Sequence, residues 1–347
     1  MKYSKVFIDS IGYELPPVVV STAELEDQIS SLFNKLHIPE GQLEEWTGIY
    51  ERRWWDPNFE LSVGASSAGA KALDKCELKP EDIEMLVYTG VCRENFEPAT
   101  ACRVADILGI RKDAMLFDIS NACLGVLNGI IEVANHIELG HIKAGMVVSA
   151  ESSREINEVT IDKMLKYGTM DFLIASLAVL TGGSGAVAII VTDGSFGEAK
   201  KHKLTGGSYF AAPEFHDICK WGMEYVNNHL HRMFMVTDST YVLKKGVELA
   251  CKTWKKFLET TGWTIEDLGK TICHQVGSTH RETLLKALSI PKDKDFITYP
   301  FLGNIGTVSL PITAAIAEER GVLNSGMKTV LMGIGSGLNC MMLGLEW

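Results

Sequence analysis

Phe117-Asp-Ile-Ser-Asn-Ala-Cys-Leu-Gly125 runs an apolar strand into a turn of small residues and puts a cysteine where a helix begins. The helix reads from Cys123 to about Leu139: Leu124, Leu127, Ile130, Ala134 and Ile137 share one face, and Gly140 ends it. Outward from this elbow, strands and helices alternate. Met85–Thr89 is a short apolar strand, Ala99–Leu108 a helix, Met115–Ile119 a strand and Met146–Ala150 another buried strand. That alternation predicts an α/β fold built from parallel βαβ units. A helix N-terminus favours thiolate over thiol, so Cys123 reads as an available nucleophile on a strand-turn-helix elbow. Any one of the other cysteines reads as a small buried apolar residue.

The pattern then recurs. Pro80-Glu-Asp-Ile-Glu-Met-Leu-Val is similar to Ile265-Glu-Asp-Leu-Gly-Lys-Thr-Ile, with Glu81 and Glu266 185 residues apart. Met146-Val-Val-Ser-Ala150 answers Thr329-Val-Leu-Met-Gly333 at an offset of 183, and Cys123 answers Asn304 at 181. One near-constant offset in one order predicts two copies of a βαβ-rich half, 1–195 and 196–347, joined near Asp193–Gly207. Ahead of the first copy, Ser21-Thr-Ala-Glu24 is a capping box opening a helix to about Leu36, and Trp46–Trp55 is rich in aromatics and arginine. Phe172–Thr192 carries no charge, but Thr181-Gly-Gly-Ser-Gly185 interrupts it. It reads as a helix, a glycine turn and a buried strand Ala186–Val191, not as a membrane span.

Composition narrows the function. The chain of 347 residues exceeds what one core usually organises, and 46% hydrophobic with 22% charged residues is ordinary for a globular protein. Its net charge of −11 has the wrong sign for a nucleic-acid binder, so a phosphate ligand needs a local patch. Eight cysteines without a CxxC suit a reducing cytoplasm, and the N-terminus has no signal-peptide core.

Further candidates lie in the second half. His274 sits at the C-terminal end of a predicted strand, where α/β folds place ligands, and Cys273 beside it should point the other way. Asn304, between a strand and the helix Val308–Ala317, is either a turn residue or an amide donor for a developing oxyanion beside His274. Gly333-Ile-Gly-Ser-Gly337 has neither GxGxxG nor Lys-Ser/Thr, so a backbone N–H that completes an oxyanion hole with Cys123 fits it better than a nucleotide loop. Glu94 and Glu97 precede a helix and read from sequence alone as solvated N-terminal charges.

Together these residues resemble the thiolase superfamily, in its ketoacyl-ACP synthase III-like branch of condensing enzymes. Trp46-Thr-Gly-Ile-Tyr-Glu-Arg-Arg53, Ser120–Gly125, His274-Gln275, Gly303-Asn304 and Gly333–Leu338 match its motifs in order, across nearly the whole chain. The resemblance implies a duplicated five-layer αβαβα fold, a homodimer, no cofactor or metal, and Claisen condensation of coenzyme A thioesters. Cys123 would be acylated, His274 and Asn304 would hold the second thioester's oxygen, and the N–H groups of Cys123 and Ser336 would form the oxyanion hole. Arg52 and Arg53, with Arg103, are candidate contacts to coenzyme A phosphates. Departures narrow the subtype: His274-Gln-Val-Gly277 lacks the usual Ala-Asn, Trp46 replaces an arginine, and 155–178 is a long insertion. With Glu97-Pro98, these features are closer to OleA-type enzymes, which join two fatty acyl-CoAs head to head. A malonyl partner makes its carbanion by losing CO₂, whereas a plain acyl-CoA needs a base. In that group a glutamate at the Glu97 position is proposed as the base, reaching the cysteine across a dimer interface, with Glu94 a bystander. The alternatives are decarboxylative condensation with malonyl-ACP and a non-catalytic acyl-binding scaffold. Met164, Leu165, Phe172, Leu173 and Ile174 could wall an alkyl channel or simply pack a core.

Overall fold

The computed structural model describes residues 1–197, 202–227 and 230–347, so 198–201 of the expected joint lie outside the described residues. The N-terminal elements are β1 (Phe7–Glu14), β2 (Val18–Ser21), α1 (Thr22–Gln28), α2 (Ser30–Leu36), α3 (Gln42–Thr47) and β3 (Glu51–Trp54). Next come α4 (Leu61–Asp74), β4 (Met85–Tyr88), α5 (Thr100–Leu108), β5 (Met115–Asp118), α6 (Gly125–Glu138) and β6 (Ala144–Glu151). Two inserted helices, α7 (Arg154–Tyr167) and α8 (Met170–Leu180), precede β7 (Gly185–Thr192). The rest is β8 (His202–Ala211), β9 (Cys219–Asn227), β10 (Leu230–Thr237), α9 (Ser239–Thr261), β11 (Leu268–Cys273), α10 (Ser278–Ala287), α11 (Tyr299–Leu302), α12 (Ser309–Glu319), β12 (Lys328–Gly335) and β13 (Asn339–Glu346).

Nine strands form one sheet in the order β11-β12-β13-β8-β1-β7-β6-β4-β5. It crosses from the first copy to the second where β1 pairs with β8, through Phe7↔Lys203 and Ile8↔His202. The period-2 alternation of strand side chains then separates the layers. In β7, Val187, Ile189 and Val191 face a central core with α6 and α12, while Ala186, Ala188 and Ile190 face α4 and α5. In β12, Leu331 faces the same central core, whereas Val330, Met332 and Ile334 face α9 and α10. Helix, strand, helix, strand, helix: these are the five layers.

The internal repeat is more regular in space than in sequence. The 3₁₀ turns Ala122–Leu124 and Gly306–Val308, helices α6 and α12, and strands β6 and β12 all begin 184 residues apart. The topological counterpart of Cys123 is therefore Thr307, and Asn304 lies three residues ahead of it. An isolated parallel bridge, Thr271↔Asp295, sits beside β11 where the first copy has β5 beside β4. The copies differ mainly after β6: 33 residues separate β6 from β7, and three separate β12 from β13. The excess is α7 and α8, which with α1 and α2 enclose a fourth core containing Leu25, Phe33, Met164 and Leu173.

One local expectation changes. The Ser21 capping box is present, but the helix it opens breaks at Ile29 into α1 and α2. Among the described residues no helix is long and apolar enough to cross a membrane.

Candidate active site

A cavity of about 400 Å³ opens between the C-terminal ends of the central strands and the inserted helices. Cys123, Asn304 and Ser336 line it, as do Glu151 from β6, Val179 from α8, and Cys219, Trp221 and Met235 from the β9–β10 hairpin. A second groove of about 450 Å³, bounded by Tyr13, Glu14, Lys71, Lys75 and Glu319, holds charged pairs and no nucleophile.

The nucleophile turn is tight. Ala122 adopts a left-handed φ of 45°, uncommon for a residue with a Cβ, and this turns the chain between β5 and α6. The Leu124 N–H donates to the Asn121 carbonyl at 2.9 Å, and the Val126 N–H donates to Thr307 Oγ at 2.8 Å. A first-turn amide of α6 is thus spent on a side chain from the other copy. Burial pushes the Cys123 thiol up to about 12, with Cys219 and Glu151 adding to the effect. One pKa unit is about 1.4 kcal/mol and a helix terminus contributes about 0.3–2 kcal/mol, so desolvation outweighs the dipole. The expectation of a resting thiolate is corrected: in the free enzyme Cys123 is a thiol.

His274 follows β11 and is buried; its N–H donates to the Met332 carbonyl at 2.9 Å. Its Nδ1 lies 3.1 Å from Ser309 Oγ at the start of α12. Burial, with His280 nearby, lowers it to about 3, so the imidazole is neutral. Gln275 accepts from the N–H groups of Thr298 and Tyr299, which fixes α11, and Cys273 is buried in the outer core as expected. Asn304 is clamped by the glycine turn after α8: its N–H donates to Thr181 O at 2.8 Å and its carbonyl accepts from Gly183 at 3.0 Å. A Cβ at Gly183 would lie 2.0 Å from the Leu302 carbonyl, so only glycine permits that approach. Asn304 Oδ1 accepts the Gly306 N–H at 3.1 Å, leaving Nδ2 as the atom offered to a ligand. The C-terminal turn closes in from the other side. A Cβ on Gly335 would sit 3.4 Å from the Cys123 nitrogen, and Asn339 bridges the Ser336 carbonyl to Asn121.

Other expected contacts are not made. Arg52 is fully buried; its guanidinium donates to Thr22 Oγ1 at 2.9 Å and to the Leu180 carbonyl at 3.1 Å, and burial lowers it to about 10. Arg53 donates to the Pro16 carbonyl, Arg103 pairs with Glu60, and none of the three lines the cavity. Arg52 is structural and closed to a phosphate, whereas Arg53 is half-buried and Arg103 exposed, both outside the cavity. Glu94 accepts from the N–H and Oγ of Ser62 and caps α4. Glu97 is exposed beside a fully exposed Phe96 and does not line the cysteine cavity of its own chain. In the insertion, Met164 and Leu173 are core and Leu165 and Ile174 face outward; Ile156, Ala178 and Val179 line the cavity instead. Sequence reasoning also missed Glu151, although a carboxylate closing the buried, uncharged strand Met146–Ala150 was a legible signal. Cys219 and Trp221 carried none, because their hairpin has no clear alternation.

Over its whole length the chain is 55% identical to an acyl-CoA:acyl-CoA alkyltransferase of Shewanella oneidensis, covering 100% of both. The chain belongs to the acyl-CoA:acyl-CoA alkyltransferase family. A member from Xanthomonas campestris is 32% identical over 100% of each chain. A solved structure of Xanthomonas campestris OleA superposes with a TM-score of 0.93 at 31% identity, covering 100% of this chain and 98% of that one. Another OleA structure, with lauric acid and lauroyl-CoA bound, matches at a TM-score of 0.91 and 31% identity, covering 99% and 100%. The fold is therefore the thiolase-like one. Kinship with the synthases is more distant: the family described as 3-oxoacyl-[acyl-carrier-protein] synthase III C terminal matches residues 258–347. A β-ketoacyl-ACP synthase III of Caldanaerobacter subterraneus is 28% identical over 97% of this chain and 96% of its own.

Proposed function

We propose that this acyltransferase joins two long-chain fatty acyl-CoAs head to head, without decarboxylation, to give a 2-alkyl-3-oxoacyl product. The observation that carries the reading is one cavity holding a thiol, an oriented amide donor and the turn of Ser336, in a chain 55% identical to a named acyl-CoA:acyl-CoA alkyltransferase. Cys123 attacks the first thioester; its sulfur bonds the acyl carbon, the proton it loses ends on coenzyme A, and that thiol leaves. In this reading Nε2 carries the imidazole proton, the tautomer in which Nδ1 accepts from the Ser309 hydroxyl 3.1 Å away. His274 and Asn304 Nδ2 then hold the oxygen of the second thioester. A neutral imidazole suits this role, since it donates a hydrogen bond without surrendering a proton. Glu97 of a second subunit takes the α-proton. The carbanion attacks acyl-Cys123 while the N–H groups of Cys123 and Ser336 hold the oxyanion; the carbon–carbon bond forms and the thiol is restored.

This reading makes the protein a cytoplasmic homodimer of two-copy chains, divided at 195/196. Decarboxylative condensation with malonyl-ACP is the second reading, favoured by the C-terminal match to synthase III. Lauroyl-CoA alone separates the two: free coenzyme A and a ketone support the first, and dependence on a malonyl thioester supports the second. Glu97→Gln should acylate Cys123 normally and lose condensation by about 10²- to 10⁴-fold, the usual worth of a general base. Normal condensation by that variant would overturn the assignment of Glu97.

A further inference from the structure

Among the described residues Glu151 is the one carboxylate lining the cysteine cavity, and it is buried. It ends β6, where Glu151 pairs with Gly185. Its two oxygens do different work. Oε1 accepts the Val91 N–H at 3.0 Å and Oε2 accepts the Cys92 N–H at 3.1 Å. These residues begin the loop that carries Glu97. At the loop's middle Glu94 is pinned to the start of α4, and from Asn95 to Pro98 the chain is exposed. On its other flank Glu151 meets the turn that presents Asn304. A Cβ on Gly306 would touch its Cγ, Cδ and Oε1 at 3.4–3.5 Å, and the same Gly306 N–H orients the Asn304 amide. The Thr307 N–H also acts on the carboxylate.

We propose that Glu151 is a positioning residue for condensation, holding the Asn304 turn of its own cavity and the root of the Glu97 loop that serves the other subunit's cavity. This rests on the acyl-CoA condensation reading above. Glu151 is not the base itself: burial raises its carboxyl above the usual range, but backbone N–H groups of Val91 and Cys92 occupy its two oxygens, so neither is turned to a substrate. Glutamine in its place keeps one acceptor but turns an NH₂ toward a backbone N–H, so the loop loses an anchor. Aspartate keeps the charge and withdraws it by one methylene.

The test uses the full chain as purified. In Glu151→Gln, acylation of Cys123 by lauroyl-CoA, read by protein mass, should slow by no more than ~3-fold, because that step needs neither Glu97 nor the second thioester's donors. Ketone formation should fall by about 10²-fold, the usual effect of a misplacement near 1 Å. A purely structural role would not move the pH profile of Cys123 alkylation by iodoacetamide. Here the midpoint should shift to lower pH in Glu151→Gln, which removes a negative charge beside the thiol, and stay in place in Glu151→Asp. The aspartate variant, which keeps the charge, should still lose condensation and provides the comparison if the glutamine variant fails to fold. Unchanged ketone formation in both variants overturns the inference. So does an equal loss of acylation and condensation with an unmoved alkylation midpoint. A wild-type chain that makes no ketone from lauroyl-CoA alone overturns the condensation reading as well; a wild type that condenses beside variants that condense equally overturns this inference only.

Discussion

Cys123 and His274 are held neutral, and the main cause in both is burial. The thiol should therefore resist alkylation in the free enzyme, with an iodoacetamide midpoint above 9; protein mass against pH checks this, and a midpoint near 7 would restore the resting thiolate. His274 titrates near 3 when folded and near 6.5 when unfolded, so between those values the unfolded chain binds more protons. Its contribution to stability is whole above pH 6.5 and drains away as pH falls toward 3. By the same logic kcat/KM should show no acid limb centred near 6.5, the signature an exposed catalytic histidine would leave. The sequence disclosed where Cys123 sits but not what surrounds it. A helix N-terminus is visible in a string of letters. The Thr307 hydroxyl that takes the Val126 N–H, 181 residues away, is not.

Elements position these residues through ties the sequence hides to different degrees. The alternating strands and the glycine turns were readable because period 2 and missing Cβ atoms are local facts. The burial of Arg52 was not legible because charge suggests solvent, whereas Arg52 replaces water with a threonine hydroxyl and the last carbonyl of α8. β11 shows the same economy of charge. Asp295 is buried, holds the Arg281 guanidinium at 2.6 Å and accepts the Cys273 N–H, so it fixes the strand end that delivers His274. Burial raises its carboxyl, against the pull of Arg281. Asp295→Ala strands a largely buried guanidinium and should cost about 3–5 kcal/mol, measured as a lower urea midpoint at unchanged m.

At the scale of the whole molecule, one chain brings the Cys123 thiol and the Asn304 amide into one cavity but carries Glu97 on an outward loop beside a bare phenylalanine ring. If subunits exchange that loop, two inactive variants complement each other. Co-expressed Cys123→Ala and Glu97→Gln chains should recover about one quarter of wild-type condensation, since half of randomly paired two-fold dimers hold one intact site of two. No recovery, with mixed dimers shown to be present, would confine the chemistry to a single chain. The five layers were legible in the sequence because the repeat prints them twice.

The bond from Val126 to Thr307 also bears on biogenesis. A ribosome that has delivered β1 through β7 has released the cysteine elbow with its first-turn amide unclaimed and the inner face of the sheet covered by α6 alone. The protecting helix α12 emerges more than a hundred residues later. Such a nascent chain exposes apolar surface and an accessible sulfhydryl together, the circumstance in which chaperone capture and adventitious oxidation compete with folding. Synthesis order thus leaves the future nucleophile most vulnerable before the enzyme exists.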